Sequence, residues 1–120
     1  MKRTKSTIGY RKWDIVLVPF PFSDLSTTKR RPGLVVSPDA YDSSGPDLVI
    51  AFMTSRLGLP PRPGDHRIRF WKESGLPKPS LLRMKLATIQ QEIVVKKIGR
   101  LFQGERSDVQ GVLRDFFLSS

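Results

Sequence analysis

The sequence predicts a mainly β domain, a small and strongly curved antiparallel barrel closed by one C-terminal α-helix. Three observations carry this prediction. Short apolar runs rich in β-branched and aromatic residues recur along the chain, each bounded by Pro, Gly, Asp or Ser. Two further stretches alternate apolar and basic residues with the period of a half-buried strand. Only the C-terminal stretch has helical spacing.

The elements follow in order. Residues 1–9, basic through Lys2, Arg3 and Lys5, are expected to form a flexible tail, and residues 10–120 a single domain. Asp14 to Phe20 reads as a strand that meets the breaker Pro21. Ser23 to Arg30 reads as a long loop, and Arg31 to Ser37 and Asp47 to Thr54 as the next strands. Arg56 to Asp65 is a second long loop, stiffened by Pro60, Pro61 and Pro63. Long ordered loops in compact domains are often functional. In the next run His66, Ile68 and Phe70 share one face, with Arg67 and Arg69 on the other. Leu82, Met84 and Leu86 alternate with Arg83 and Lys85 in the same way, and Ile93 to Arg100 reads as a last strand. Ser107 is placed as a helix N-cap with Gln110 completing a capping box. Val109, Val112, Leu113, Phe116 and Phe117 then form one stripe expected to pack on the core.

Composition narrows the function. The chain has 120 residues, the size of one domain, and no cysteine, which removes disulfides, thiolate metal sites and cysteine nucleophiles. Its 21 Lys and Arg against 11 Asp and Glu give a formal charge of +10. A domain so basic attracts polyanions, foremost nucleic acid. No apolar run reaches the length of a membrane span, and no signal-peptide core follows the basic N-terminus. No membrane association is expected, and a cytoplasmic location is.

The usual catalytic sets are missing. His66 is the single histidine, so a two-histidine ribonuclease site cannot form within one chain, and a structural role is expected for it. No His/Asp/Glu cluster has metal-ligand spacing, and no GxxxxGK[ST] or GxGxxG loop occurs, so neither metal nor cofactor is expected. What remains is arginine, lysine and hydroxyl chemistry. RNA carries its own nucleophile, the 2′-hydroxyl, and an enzyme need only align it and stabilise the added negative charge. The planar arginine fork suits the second task, and Ser or Thr can orient the phosphate or the 2′-oxygen.

Specific motifs select among these possibilities. WDIVLVPFPFSDLS (Trp13 to Ser26) followed by KRRPGLVVS (Lys29 to Ser37) resembles the start of MazF/PemK-type toxins. In that family a strand ends in an aromatic, proline-rich loop, and an Arg-Pro pair leads into an apolar second strand. VIAFMTSR (Val49 to Arg56) resembles the family's third strand, ending in Thr and a small residue. GLPKPSLLRMKLATI (Gly75 to Ile89) and KKIGRL (Lys96 to Leu101) resemble later strands of the PemK-like branch.

The resemblance implies an SH3-like barrel of the type shared with the CcdB gyrase poisons. It also implies a homodimer, a cognate acidic antitoxin, and cleavage of single-stranded RNA, namely mRNA, at short sequences. Carried over by position, Arg31 and Thr54 are the expected catalytic residues, while Ser55, Arg56, Phe22 and Lys85 are expected to bind substrate. By position alone Arg31 is a surface arginine at a strand start; the Arg-Pro context gives it a role. Arg62, Arg67 and Arg69 are further candidates for phosphate contacts, and Phe20 and Trp71 for base stacking.

The chain also departs from the family pattern. Trp13 stands where the family usually has Gly, and Ser23 to Arg30 lacks the glycines and the Glu of many members. Lys85 or its neighbours stand where many members carry Gln, so substrate preference does not transfer. Two alternatives remain at this stage. One is a non-catalytic basic barrel that grips RNA or DNA. The other is a gyrase poison, disfavoured because Phe117-Leu118-Ser119-Ser120 lacks the expected tryptophan-bearing tail.

Overall fold

A computed structural model describes residues 9–20 and 29–120, with the side chain of Phe20 excepted. The elements are β1 (Asp14–Phe20), β2 (Lys29–Val35), α1 (Asp39–Ser44), β3 (Asp47–Thr54), β4 (His66–Arg67), β5 (Leu81–Gln90), β6 (Lys96–Arg100) and α2 (Arg106–Leu118). The strands form one six-stranded sheet in the order β4-β5-β3-β2-β1-β6, and each neighbouring pair is antiparallel. The fold is therefore mainly β with a C-terminal helix, as the sequence predicts, with the sheet curled into a half-barrel.

The central strands are apolar on both faces because both are covered. Ile15, Leu34, Ala51 and Met53 face a core that also holds Ile68, Leu76, Leu101, Val109 and Leu113. Their neighbours Val16, Val18, Val35, Ile50 and Phe52 face a second cluster with Leu48 and Ile89. Each fully buried branched side chain contributes about 1.5–3 kcal/mol to stability.

The gap between the two sheet edges is bridged by the segment after β4. The backbone N–H of Arg100 donates to the Ser74 carbonyl at 3.0 Å, and the Phe102 N–H donates to Ser74 Oγ at 2.8 Å. Gly75, at φ 88°, and Gly99 make this approach possible. A Cβ on Gly99 would stand 1.9 Å from the Ser74 carbonyl oxygen, and one on Gly75 would stand 2.7 Å from that of Ile98. Both spacings are far inside van der Waals contact, so this seam admits only glycine.

Several expectations are corrected. β2 begins at Lys29 rather than Arg31, because Lys29 and Arg30 pair with Phe20 and Pro19 of β1. The predicted strand from His66 to Phe70 is cut to His66–Arg67. Ile68 is buried as expected, but the chain turns away at Arg69 and Phe70, whose backbone N–H groups both donate to the Glu105 carboxylate. The helical content is not confined to the end: α1 follows Pro38, with Asp39 and Asp42 in its first turn, and 3₁₀ turns lie at Gln91–Ile93 and Gln103–Glu105.

Ser107 is not the cap of α2. A 3₁₀ turn runs directly into the helix, Glu105 holds the cap position, and no side chain caps the first turn. The predicted stripe is divided as well. Val109 and Leu113 are buried, whereas Phe116 is 38% exposed and Phe117 61%. The basic tail, Gly9 apart, lies outside the described residues, as do Pro21 to Thr28 of the first loop.

Candidate functional site

Pro32 sets the position of the cleft. It pairs with Leu17 of β1, but the β2–β3 ladder ends one residue away, at Gly33↔Phe52. Proline has no N–H to donate to another rung. Extending the register by two residues puts Arg31 opposite Thr54, beyond the last rung. The two side chains line one cleft of about 370 Å³, which Phe52 and Met53 also line. Both residues are half-buried.

The opposite wall comes from β5 and the proline-rich loop. From Ala51 to Met53, β3 advances two residues while its partner β5 advances four, from Leu86 to Leu82. The two extra residues form a bulge, a device that re-aims side chains. It brings Arg83, Met84 and Lys85 into the cleft wall. The loop adds Arg56, Leu59, Arg62, Pro63 and Asp65, and α2 adds Phe116.

Five cations and one carboxylate therefore line the cleft. The carboxylate is committed. Arg83 donates from Nε to Asp65 Oδ1 at 3.0 Å and from Nη2 to Oδ2 at 2.9 Å. The hydrogen bond from Arg83 holds the Asp65 carboxyl below the usual carboxylate range, against a smaller opposing effect of burial. Asp65 is thus an ionised, weakly basic acceptor. Thr54 Oγ1 accepts the Arg56 N–H at 3.1 Å, which leaves its hydroxyl proton available to donate. With five cations in its lining, the cleft can hold a polyanion and stabilise added negative charge.

The structure brings together Arg31, Thr54, Arg56 and Lys85 from the sequence-predicted set, with Arg62 from the wider group of phosphate candidates. Ser55 is exposed next to the cleft and does not line it, and Phe22 lies outside the described residues. Arg67 and Arg69 do not join the cleft either. Arg69 pairs with Asp108 at 3.2 Å and lies over the Phe70 ring. Trp71 packs against the core beneath α2, under Lys72, rather than standing as a stacking platform.

His66 is structural, as expected. Its Nε2 lies 2.8 Å from Glu105 Oε2, and Glu105 is fully buried. The sequence reading missed Asp65 and Arg83 as site residues. Arg62-Pro63-Gly64-Asp65 carries a local signal, Pro then Gly at the centre of a turn. Arg83 carries none, because its partner is 18 residues away. Among the described residues no group of three or more His, Asp or Glu side chains could hold a metal ion, and no helix is long and apolar enough to cross a membrane.

These features define a class: a small basic curled-sheet domain with a cation-lined cleft between the ends of β2 and β3. Residues 11–117 match the family of PemK-like, MazF-like toxins of type II toxin-antitoxin systems, and the chain belongs to that family. No curated protein matches the sequence. Solved structures share the fold at low identity. A chain of a MazE-MazF crystal structure from Deinococcus radiodurans superposes with a TM-score of 0.71 at 19% identity, covering 92% of this chain and 97% of its own. An endoribonuclease in complex with its cognate antitoxin, from a mycobacterial species, gives 0.70 at 14% identity over 92% and 94%. The Mycobacterium tuberculosis toxin MazF-mt6 gives 0.63 at 16% identity over 87% and 95%.

Proposed function

We propose that this toxin is an endoribonuclease that cuts single-stranded mRNA at short sequences, using the substrate's own 2′-hydroxyl and no metal or cofactor. The observation that carries the reading is the placement of Arg31 and Thr54 across one cleft with Arg56, Arg62 and Lys85 around it. The endoribonuclease activity named for the mycobacterial structural neighbour supports it. In this reading the 2′-oxygen forms a bond to phosphorus and the bond to the 5′-oxygen breaks. The 2′-hydroxyl loses its proton and the leaving oxygen gains one. Arg31 stabilises the pentacovalent phosphate through its two-pronged fork. Thr54 orients the phosphate or the 2′-oxygen. Asp65, held ionised by Arg83, is a poor proton acceptor, so the cleft supplies alignment and charge stabilisation rather than a carboxylate base.

The same reading includes a cytoplasmic homodimer and an acidic, partly disordered antitoxin that covers the cleft. Complexes of MazF-type neighbours with MazE or with a cognate antitoxin support a protein partner. The +10 charge favours an acidic one. The test of the chemistry is to incubate the purified protein with a long RNA in EDTA and map the new ends. The expected result is unimpaired cleavage leaving 2′,3′-cyclic phosphate and 5′-hydroxyl termini. Activity lost in EDTA and restored by magnesium refutes the mechanism, and binding without any cleavage refutes the enzyme.

A further inference from the structure

The guanidinium of Arg83 lines the cleft but is not arranged to meet a phosphate. Its fork is closed on Asp65, and Nη2 also donates to the Pro60 carbonyl at 2.6 Å. Both partners are mostly buried, with 19% of the Arg83 side chain and 14% of the Asp65 side chain exposed. Asp65 closes a tight turn on itself. Its N–H donates to the Arg62 carbonyl at 3.0 Å, and its Oδ2 accepts the Arg62 N–H at 2.9 Å. Pro63 and Gly64 occupy the two central positions, and Gly64 has the φ of 88° that such a turn requires. The turn is seated tightly, since a Cβ on Gly64 would come within 2.4 Å of Met84 Cγ. One arginine on the β5 bulge thus ties down both the middle and the end of the proline-rich loop.

We propose that Arg83 is a positioning residue: clamped to Asp65 and Pro60, it fixes the Arg62–Asp65 turn so that Arg62 is presented to the RNA backbone at the cleft. This rests on the cleft being an RNA site. The clamp fixes which of the cleft cations meet substrate. Arg83 is neutralised by Asp65, whereas Arg62 is exposed and keeps its charge for a flanking phosphate. A flanking contact is made equally in the ground state and the transition state, so its loss raises KM and leaves kcat in place.

The two possible roles of Arg83 make opposite predictions for Asp65→Asn. If Arg83 were itself a phosphate ligand, neutralising Asp65 would free it and tighten RNA binding. If Arg83 is a clamp, the same substitution loosens the turn and weakens binding although the protein has become more positive. The experiment measures KM and kcat on a single-stranded RNA for wild type, Asp65→Asn, Arg83→Met, Arg83→Lys and Arg62→Ala. RNA affinity is measured in parallel in an Arg31→Ala background, and amide exchange of Arg62 and Asp65 without RNA.

The expected result is a rise in KM of about tenfold for Asp65→Asn and Arg83→Met, with kcat within about twofold of wild type. Arg83→Lys, which keeps the charge but only one prong, should recover part of the loss. Both amides should exchange faster in Asp65→Asn and Arg83→Met, and Arg62→Ala/Arg83→Met should be no worse than Arg62→Ala alone. Tighter RNA binding by Asp65→Asn, or additive losses in the double variant, overturns the positioning role while leaving the ribonuclease reading standing. A wild-type protein that neither binds nor cleaves RNA overturns both.

Discussion

Arg31 and Thr54 both line the cleft beyond the last rung of the β2–β3 ladder, and their contributions should differ in kind. Attack by the 2′-oxygen builds charge on the phosphate oxygens that is absent in bound RNA, so a preplaced guanidinium acts chiefly on the transition state. Arg31→Ala should lower the cleavage rate by on the order of 10²–10³ while RNA binding weakens only modestly. Arg31→Lys should recover part of that rate. Thr54→Val should cost less than Arg31→Ala, because one hydroxyl is lost and the strand end is kept. Near-normal cleavage by a folded Arg31→Ala protein would falsify the site assignment. Trp13 offers a residue-scale test of a different kind. It stands where the family usually has glycine, and its φ is 78°. Its N–H donates to the Val35 carbonyl and its own carbonyl accepts from Leu101, so hydrogen bonds on both sides hold that conformation. The ring packs on the core under Lys12 and offsets the strain. Removing the ring leaves only the backbone term. Trp13→Gly should therefore be more stable than Trp13→Ala by about 1 kcal/mol, the reverse of the ordinary order, as read by denaturant unfolding. Equal stabilities would mean that the backbone relaxes once the ring is gone.

At the scale of elements, what was legible depended on whether the determining partner was local. β1 and β3 announce themselves by β-branched and aromatic runs between breakers, β5 by its alternation of apolar and basic residues, and the proline-rich loop by its three prolines, whereas the run read as a strand from Ile93 to Arg100 begins its strand, β6, only at Lys96. The alternation of Leu82, Met84 and Leu86 was readable, but not the bulge among them, because a bulge is a property of the pair β3–β5. The strand expected through Phe70 was overruled by Glu105, a residue 35 positions away. The capping box at Ser107 was locally sound and lost to the same residue, whose buried carboxylate holds β4 and the following turn instead of capping α2. α1 is short and held mainly by tertiary bonds. Ser37 donates to Asp42, the Val49 N–H donates to Ser37 Oγ at 3.0 Å, and Gln91 donates to the Asp42 carbonyl at 2.8 Å. Asp42 is buried, and burial raises its carboxyl above the usual range against the opposing bond from Ser37. The native state therefore binds this proton more readily than the unfolded chain does. Between the unfolded and the raised native value, stability falls as pH rises. Asp42→Asn should abolish that segment of the pH–stability curve. If wild type and Asp42→Asn gain stability in parallel on acidification from neutral pH, Asp42 is not the source.

At the scale of the whole molecule, charge and fold act together. The sequence has a surplus of ten positive charges, but composition alone cannot say where they gather. Folding sorts them. Arg69 is paired with Asp108, Lys97 and Arg100 with Asp14, and Arg83 with Asp65, and Arg31, Arg56, Arg62 and Lys85 come to the cleft from three separate parts of the chain, namely β2, the proline-rich loop and β5. The family resemblance pointed to Arg31 and Thr54 because an Arg-Pro pair and a strand-ending Thr are local motifs, and both line the cleft. The gathering of Arg62 with them depends on the loop folding back onto β5, which no short motif records. A quantitative expectation follows for the intact toxin. Each cation that neutralises a phosphate of single-stranded RNA releases counterion, and log affinity falls against log salt with a slope of about −0.7 per phosphate. If the four cleft cations outside the Asp65 clamp each meet one phosphate, the slope should approach about −2.8. Arg62→Ala and Lys85→Ala should each flatten it by about 0.7, whereas Arg69→Ala should leave it unchanged. The measurement is RNA affinity across a salt series, made with the Arg31→Lys protein, which keeps the charge while slowing cleavage. A slope that responds to Arg69 but not to Arg62 or Lys85 would place the RNA on another face and detach the basic charge from the cleft.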